Sequence, residues 1–187
     1  TIGVGYEASP NSGTSYATLL GLELRSRMQN RSTTAYIRIP FSADRKALES
    51  ARALILELKY DDGFVAYLNG VRVASSNAPR QLTSSSAASS NNSDTRALEF
   101  EQFDLSSFIP LLNEGANMLA IHGLNDGAGS SDFLILPRLV VTDSLPPVWP
   151  DLQLGTPITN ANSPVALTHA PDGLSLIHIS EPTRHRG

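Results

Sequence analysis

Two glycine-containing turns divide the stretch from Leu54 to Ala74 into three runs of strand-forming residues. The second turn, Asn69-Gly70, is flanked by alternating apolar residues, which is the strongest short-range signal of a β-hairpin. A type I′ turn requires positive φ at both central residues, and Asn and Gly tolerate that conformation best. A two-residue loop predicts three facing pairs, namely Leu68 with Val71, Tyr67 with Arg72, and Ala66 with Val73.

The first turn, Asp61-Asp62-Gly63, permits two registers. A two-residue loop would put the apolar stripe of the first strand on the face that carries Tyr67. A three-residue loop puts Tyr60 opposite Phe64, which gathers the large apolar side chains on one face. Since burial selects a register with one apolar face, we predict the three-residue loop, with Gly63 in the left-handed region as a bulge. The expected product is a three-stranded antiparallel meander.

The rest of the chain adds more short strands and little helix. In the strand predicted at Ala35–Phe41, Ile37 and Ile39 alternate with Tyr36 and Arg38, and Pro40 indicates an edge strand or a position near the end of the strand. Other predicted elements are strands at Leu98–Phe103, Asn117–Leu124 and Asp132–Val141, a helix within Ala43–Ser50, and a polar loop at Thr83–Thr95. Many short strands separated by turns, without a βαβ rhythm, predict an all-β antiparallel sandwich or jelly roll.

Composition excludes several classes of protein. The chain has 187 residues, no cysteine and a net charge of −4. Disulfides and thiolate metal sites are therefore excluded, and the acidic balance argues against a nucleic-acid partner. No apolar run is long enough to span a membrane. A chain of this length has room for one domain of about 140–150 residues and a remainder.

The C-terminal part has a different composition. We predict one sandwich domain over residues 1–142, a proline-rich linker over 143–164, and the possible start of a further module at 165–173. The segment Leu174–Gly187, LSLIHISEPTRHRG, resembles a peptide produced when sequencing-adapter DNA is translated by mistake. We therefore expect an artefactual or disordered tail at 174–187, and we discount His178 and His185 as ligands.

Four segments of the sequence together resemble a known family of domains. YIRIPF, LKYDDGFVAYLNGVRVA, FDLSSFIPLLNEGANMLAIHGLN and SSDFLILPRL are similar to segments of galactose-binding-like jelly-roll domains. Such domains occur in large secreted bacterial proteins beside lamin-tail, spore-coat-kinase-like and hydrolase domains, and similar modules accompany glycoside hydrolases. Family members usually open with a tryptophan-containing strand that this chain lacks, which suggests N-terminal truncation. The resemblance implies a secreted or cell-surface accessory module without catalytic activity.

Carboxylates form two candidate calcium sites. Asp61 and Asp62 are adjacent in a turn, and Asp126 and Asp132 flank a glycine-rich loop, so either pair could supply hard oxygen ligands. The alternative is ordinary turn chemistry, in which Asp favours the turn conformation. No EF-hand spacing is present, and no other cofactor is predicted.

Tyr67 and Arg72, paired across the predicted hairpin, are the candidate ligand-binding residues. An aromatic ring can stack on a sugar while a guanidinium donates to its hydroxyls. The alternative is that the pair simply covers the sheet. Further aromatic candidates are Tyr6, Tyr16 and Trp149. His122 alternates with apolar residues, which predicts a partly buried, hydrogen-bonded imidazole.

No sequence motif indicates catalysis. The chain has no nucleophile elbow, no phosphate loop and no histidine cluster. Glu99 and Glu101 share one face of a single strand, whereas paired glycosidase carboxylates normally lie across a cleft. We therefore predict a non-catalytic module that binds a polysaccharide or glycan, and the alternative is a structural spacer that docks onto neighbouring domains of the same polypeptide.

Overall fold

A computed structural model of the chain describes residues 2–9 and 15–144. Over these ranges the chain forms nine strands, three short α-helices and one 3₁₀ helix. The strands are β1 (Gly3–Glu7), β2 (Leu20–Glu23), β3 (Thr34–Ala43), β4 (Ala53–Asp61), β5 (Gly63–Leu68), β6 (Val71–Ser76), β7 (Glu101–Asp104), β8 (Gly115–Leu124) and β9 (Asp132–Thr142). The helices are α1 (Arg25–Met28), α2 (Arg45–Ser50), α3 (Asp94–Ala97) and the 3₁₀ helix Ser106–Leu111.

The strands form two sheets. One has five strands in the order β2-β1-β9-β4-β7, and the other has four in the order β3-β8-β5-β6. Neighbouring strands are antiparallel except β1 and β2. The predicted all-β antiparallel sandwich is therefore confirmed. The strand β9 is central, and β3, which contains Pro40, is an edge strand, as its proline indicated.

The core lies between the two sheets. β4 contributes Leu54, Leu56 and Leu58, all fully buried. β5 contributes Phe64, Ala66 and Leu68 from the opposite sheet, and these belong to the same apolar cluster. Ring contacts tie the layers together: the centroids of Tyr60 and Phe64 are 4.9 Å apart. The apolar residues of β4 and β5 therefore share one buried space, as their pattern predicted.

The predicted three-stranded meander is wrong, because β4 and β5 belong to different sheets. Tyr60 pairs with Ile135 of β9 and not with Phe64. Asp61-Asp62-Gly63 is thus a crossover from one layer to the other, and not a hairpin loop. The physical reason is that both strands bury their apolar faces more completely against each other across the layers, while β9 and β8 complete their hydrogen-bond ladders.

The two turns differ in how well the sequence predicted them. Asn69 and Gly70 have φ of 49° and 87°, which confirms the type I′ turn. Leu68 pairs with Val71 and Tyr67 with Arg72, as predicted, but a bulge follows and Ala66 pairs with Ala74. The prediction that Gly63 adopts positive φ is wrong, since among the described glycines only Gly70 and Gly115 do so.

Other elements match their predictions in part. The helix predicted within Ala43–Ser50 is α2, whose N-cap Asp44 accepts a hydrogen bond from the backbone N–H of Ala47. The strand predicted from Leu98 begins only at Glu101, because α3 precedes it. Val71, expected in the core, is 43% exposed.

Some predictions lie beyond the described part of the chain. The predicted linker lies outside it apart from residues 143 and 144, and so do the predicted further module and tail. Within the described ranges, no helix has the length and apolar character needed to cross a membrane.

Candidate functional site

The outer face of the four-stranded sheet carries the candidate site. Ile37 and Ile39 of β3 pack on the core, so their neighbours Tyr36 and Arg38 point outward. The register then aligns two rows of residues across the sheet. One row contains Tyr36, His122, Val65 and Ser75, and the other contains Arg38, Ala120, Tyr67 and Arg72. We call Tyr36, Arg38, Tyr67, Arg72 and His122 the outer-face cluster.

Four members of the outer-face cluster line one shallow depression. It has a volume of about 180 Å³ and is bordered by Tyr36, Arg38, Tyr67 and His122. The Tyr36 and His122 rings are stacked, with centroids 4.4 Å apart and planes 26° apart. Tyr36 nevertheless remains 64% exposed, so most of its ring is available to a ligand. The fifth member, Arg72, lies beside Tyr67 in the next strand.

His122 supports Tyr36 from below. Its side chain is buried, and its Nε2 has no hydrogen-bond partner among the described residues. The sequence predicted burial and a hydrogen bond, and burial is confirmed. Desolvation lowers the pKa of His122, so the imidazole is neutral near pH 7 and does not add to the charge of the outer-face cluster.

The polar loop after β6 encloses one end of this face. Thr33 Oγ1 donates to the carbonyl of Ser86 at 2.9 Å, and Thr34 Oγ1 donates to that of Ser84 at 2.9 Å. The backbone N–H of Ala88 donates to the Asn125 carbonyl at 2.8 Å. The predicted loop at Thr83–Thr95 is therefore anchored beside the ends of β3 and β8. It leaves the part of the face with Arg38 and Arg72 exposed.

Charge is distributed unevenly between the two sheets. The four strands β3, β5, β6 and β8 contain no Asp, Glu or Lys, and their only arginines are Arg38 and Arg72. The strands of the other sheet contain seven acids, which are Glu7, Glu23, Glu57, Asp61, Glu101, Asp104 and Asp132. The outer-face cluster is thus a cationic surface on a chain whose net charge is −4.

The predicted turn acids Asp61 and Asp62 are buried, each only 2% exposed. The two oxygens of Asp62 accept hydrogen bonds from backbone N–H groups, Oδ1 from Asn92 at 3.0 Å and Oδ2 from Asp126 at 2.8 Å. Asp61 Oδ2, by contrast, is buried and has no hydrogen-bond partner among the described residues. Burial, followed by the charge of Asp62, raises the pKa of Asp61 to about 10.

The structure brings the two predicted calcium pairs close together, since the backbone N–H of Asp126 donates to Asp62 Oδ2. The Asp132 carboxyl accepts from Ser130 Oγ at 3.1 Å, and burial raises its pKa to about 6. Asp126 is exposed. Within the described residues, no three His, Cys, Asp or Glu side chains are arranged to hold a metal ion. Calcium binding by these residues stays a prediction.

The remaining aromatic candidates do not join the site. Tyr6 and Tyr16 are fully buried, so neither can stack on a ligand at the surface. The Tyr6 hydroxyl instead donates to the Ser130 carbonyl at 3.0 Å. Trp149 lies outside the described residues. Glu101 accepts a hydrogen bond from the Tyr60 hydroxyl at 2.6 Å, which gives it a structural partner.

The hairpin pattern predicts Tyr67 and Arg72 as neighbours, but it does not identify Tyr36 and Arg38 as their partners. The signal was present in the alternation of AYIRIPF, which puts Tyr36 and Arg38 on the polar side of their strand. What the alternation does not reveal is the neighbour of that strand. Pairing of β3 with β8, and of β8 with β5, brings the two halves of the cluster together.

Comparisons with known proteins give limited matches. No family model and no curated protein matches the chain. Several solved structures are similar to part of it. A β-D-mannosidase from Dictyoglomus thermophilum has 19% identity and a TM-score of 0.33, covering 50% of this chain and 9% of the enzyme. An α-L-rhamnosidase from Aspergillus terreus has 17% identity and a TM-score of 0.40, covering 59% of this chain and 12% of the enzyme.

Proposed function

We propose that this domain is a non-catalytic carbohydrate-binding module of a secreted multidomain protein, and that the outer-face cluster holds the glycan. The observation that carries the proposal is the exposed Tyr36 ring, held flat on His122 and bordered by Arg38 and Tyr67. The family resemblance of the sequence adds an accessory role and an extracellular location.

The chemistry of the cluster suits a sugar. The carbon face of a pyranose ring packs on an aromatic ring, and its hydroxyls accept hydrogen bonds from nearby guanidinium groups. Tyr36 costs little entropy on binding, because stacking on His122 already restrains its ring. The depression, at about 180 Å³, is smaller than the roughly 300–1,000 Å³ of a typical small-molecule pocket, which suits contact with one part of a polymer lying across the sheet.

Affinity electrophoresis against a panel of neutral and acidic polysaccharides tests this proposal. We expect at least one polysaccharide to retard the protein, and we expect Tyr36→Ala and Tyr67→Ala each to reduce the retardation. Val141→Ala is the control, because Val141 is 39% exposed, lies on the other sheet and does not border the outer-face depression. Migration unaffected by every polysaccharide would contradict the proposal.

A docking role is the second candidate, and an apolar depression favours it. This depression has a volume of about 710 Å³ and lies between the β1–β2 edge and β3. It includes Ile2 and Leu22, which are 71% and 57% exposed. Apolar surface of this kind commonly contacts another protein.

Leu22→Asp and Tyr67→Ala together separate the two functions. If the domain supports a neighbouring domain, co-expression with that neighbour should raise the neighbour's melting temperature, and Leu22→Asp should remove the increase. Because Tyr36 and Arg38 line both depressions, the counterpart is Tyr67→Ala, which borders only the outer-face depression and should reduce glycan retention without changing the neighbour's melting temperature. A neighbour whose melting temperature is the same with and without this domain would exclude the docking role.

A further inference from the structure

We propose that the outer-face cluster selects anionic glycans, and specifically polysaccharides whose uronic acid units carry carboxylates. The inference rests on the proposed function and adds the chemical class of the ligand.

The first observation is the complete lack of acidic side chains in these four strands. Arg38 and Arg72 therefore face outward from a sheet in which no strand residue can pair with them. Neither arginine forms an ion pair in the described part of the chain, whereas Arg45, Arg96 and Arg138 each contact a glutamate. The charges of both guanidinium groups can therefore attract an anionic ligand to this face.

The second observation is how the arginines are placed. Both occupy the same cross-strand row, one at each side of the sheet, with Ala120 and Tyr67 between them. Three strand spacings separate their backbones, or about 14 Å. Arg72 Nη2 donates to Ser75 Oγ at 2.8 Å, which restrains that guanidinium. A polymer that crosses the strands along this row would meet a cation, an aromatic ring and a second cation in turn.

The third observation concerns the type of cation. A guanidinium binds a carboxylate through two parallel N–H···O hydrogen bonds, which are roughly twice as strong as neutral ones. His122 adds no positive charge near neutral pH, because burial lowers its pKa. Selectivity for acidic units therefore depends on Arg38 and Arg72, and it should persist across the pH range in which uronic acids are ionised.

The experiment is isothermal titration calorimetry on the full chain with three polymers. They are polygalacturonate, the same polymer with its carboxyl groups reduced to alcohols, and poly-L-glutamate as an anionic polymer without sugars. We expect binding to polygalacturonate and at least about tenfold weaker binding to the reduced polymer, the equivalent of one lost charge-assisted contact. Arg38→Ala and Arg72→Ala should each cause a similar loss. Arg138→Ala, on the opposite sheet, is the control and should bind like the wild type.

Each outcome decides a different point. Equal affinity for the charged and reduced polymers, or wild-type affinity in both arginine variants, would overturn the selectivity for acids while leaving carbohydrate binding intact. Equally tight binding to poly-L-glutamate would show a general anion site and would overturn the assignment to a glycan. Failure to bind any saccharide, here and in the electrophoresis panel, would reject the proposed function together with this inference. Circular dichroism of each variant checks that the fold is retained.

Discussion

At the scale of single residues, the buried acids at the crossover are the most unusual feature of the molecule. Asp61 and Asp62 are adjacent and almost fully buried, and Asp61 Oδ2 has no hydrogen-bond partner among the described residues. Two ionised carboxylates cannot share such a site, so one proton is retained there. Asn92 closes the arrangement, since its Nδ2 donates to the Tyr60 carbonyl at 2.7 Å. The hydrogen bonds of Asn92 with Asp62 and Tyr60 therefore hold the polar loop against the crossover.

This proton predicts that folding stability falls as pH rises. Burial raises the pKa of Asp61 from its ordinary value of 3.8 to about 10 in the fold, so between these values the folded state binds more protons than the unfolded state. The contribution is complete below pH 4 and is lost towards pH 10, at up to about 1.4 kcal/mol per pH unit. Asp132 adds to the loss between pH 4 and about 6.

Asp61→Asn tests this behaviour, because an amide replaces the protonated acid. Urea unfolding at pH 4 should give similar free energies for the variant and the wild type. At pH 8 the variant should be the more stable of the two. Asp126→Asn, which changes an exposed acid of the same region, should follow the wild-type curve. Parallel pH curves for Asp61→Asn and the wild type would disprove the retained proton.

At the scale of elements, the two connections of the central segment need glycine for different reasons. Gly70 has a φ of 87° and open space around it. A side chain there would therefore clash with no neighbour, and only the positive φ would make it unfavourable. Gly63 lies in β5 without positive φ, but an added Cβ would meet the Asn77 carbonyl oxygen at 2.8 Å. The hairpin thus depends on conformation, and the crossover depends on close packing.

Alanine substitutions should distinguish these two requirements. Gly70→Ala should cost about 1 kcal/mol, the usual penalty for placing a Cβ in the left-handed region. Gly63→Ala should cost more, about 1–3 kcal/mol, because the backbone near Asn77 must move. Gly127→Ala is the control, since Gly127 has neither positive φ nor a neighbour within 4 Å of its added Cβ. Chemical denaturation gives all three values, and equal losses at the three positions would contradict the argument.

At the scale of the whole molecule, β4 and β5 stabilise one core from opposite sheets. Leu56 and Leu68 are each fully buried, and both belong to the same apolar cluster. The side chains of a sandwich core interdigitate between sheets, so neither sheet is stable without the other. The described domain should therefore unfold in one cooperative transition.

Leu56→Ala and Leu68→Ala test whether the two sheets unfold together. Each should destabilise the fold by about 2–5 kcal/mol, as usual for a buried leucine, and each should shift the same single transition. Leu22→Ala, at an exposed edge position, should change stability by less than about 0.5 kcal/mol. Fluorescence and circular dichroism can follow the unfolding in urea. Two separated transitions, or a loss confined to one of them, would show that the sheets unfold independently.

The sequence by itself determined the all-β class, the type I′ turn at Asn69-Gly70, the edge position of β3 and the burial of the alternating apolar residues. These features depend on local conformational preference and on the two-residue periodicity of a strand, and both are determined by residues that are close together in the sequence. Only the tertiary structure decided which strands pair. An apolar strand is buried equally well by a partner beside it or by a partner across the core, and the choice depends on every other strand. That choice turned Asp61-Asp62-Gly63 into a crossover, and it placed Tyr36 and Arg38 beside residues far away in the chain.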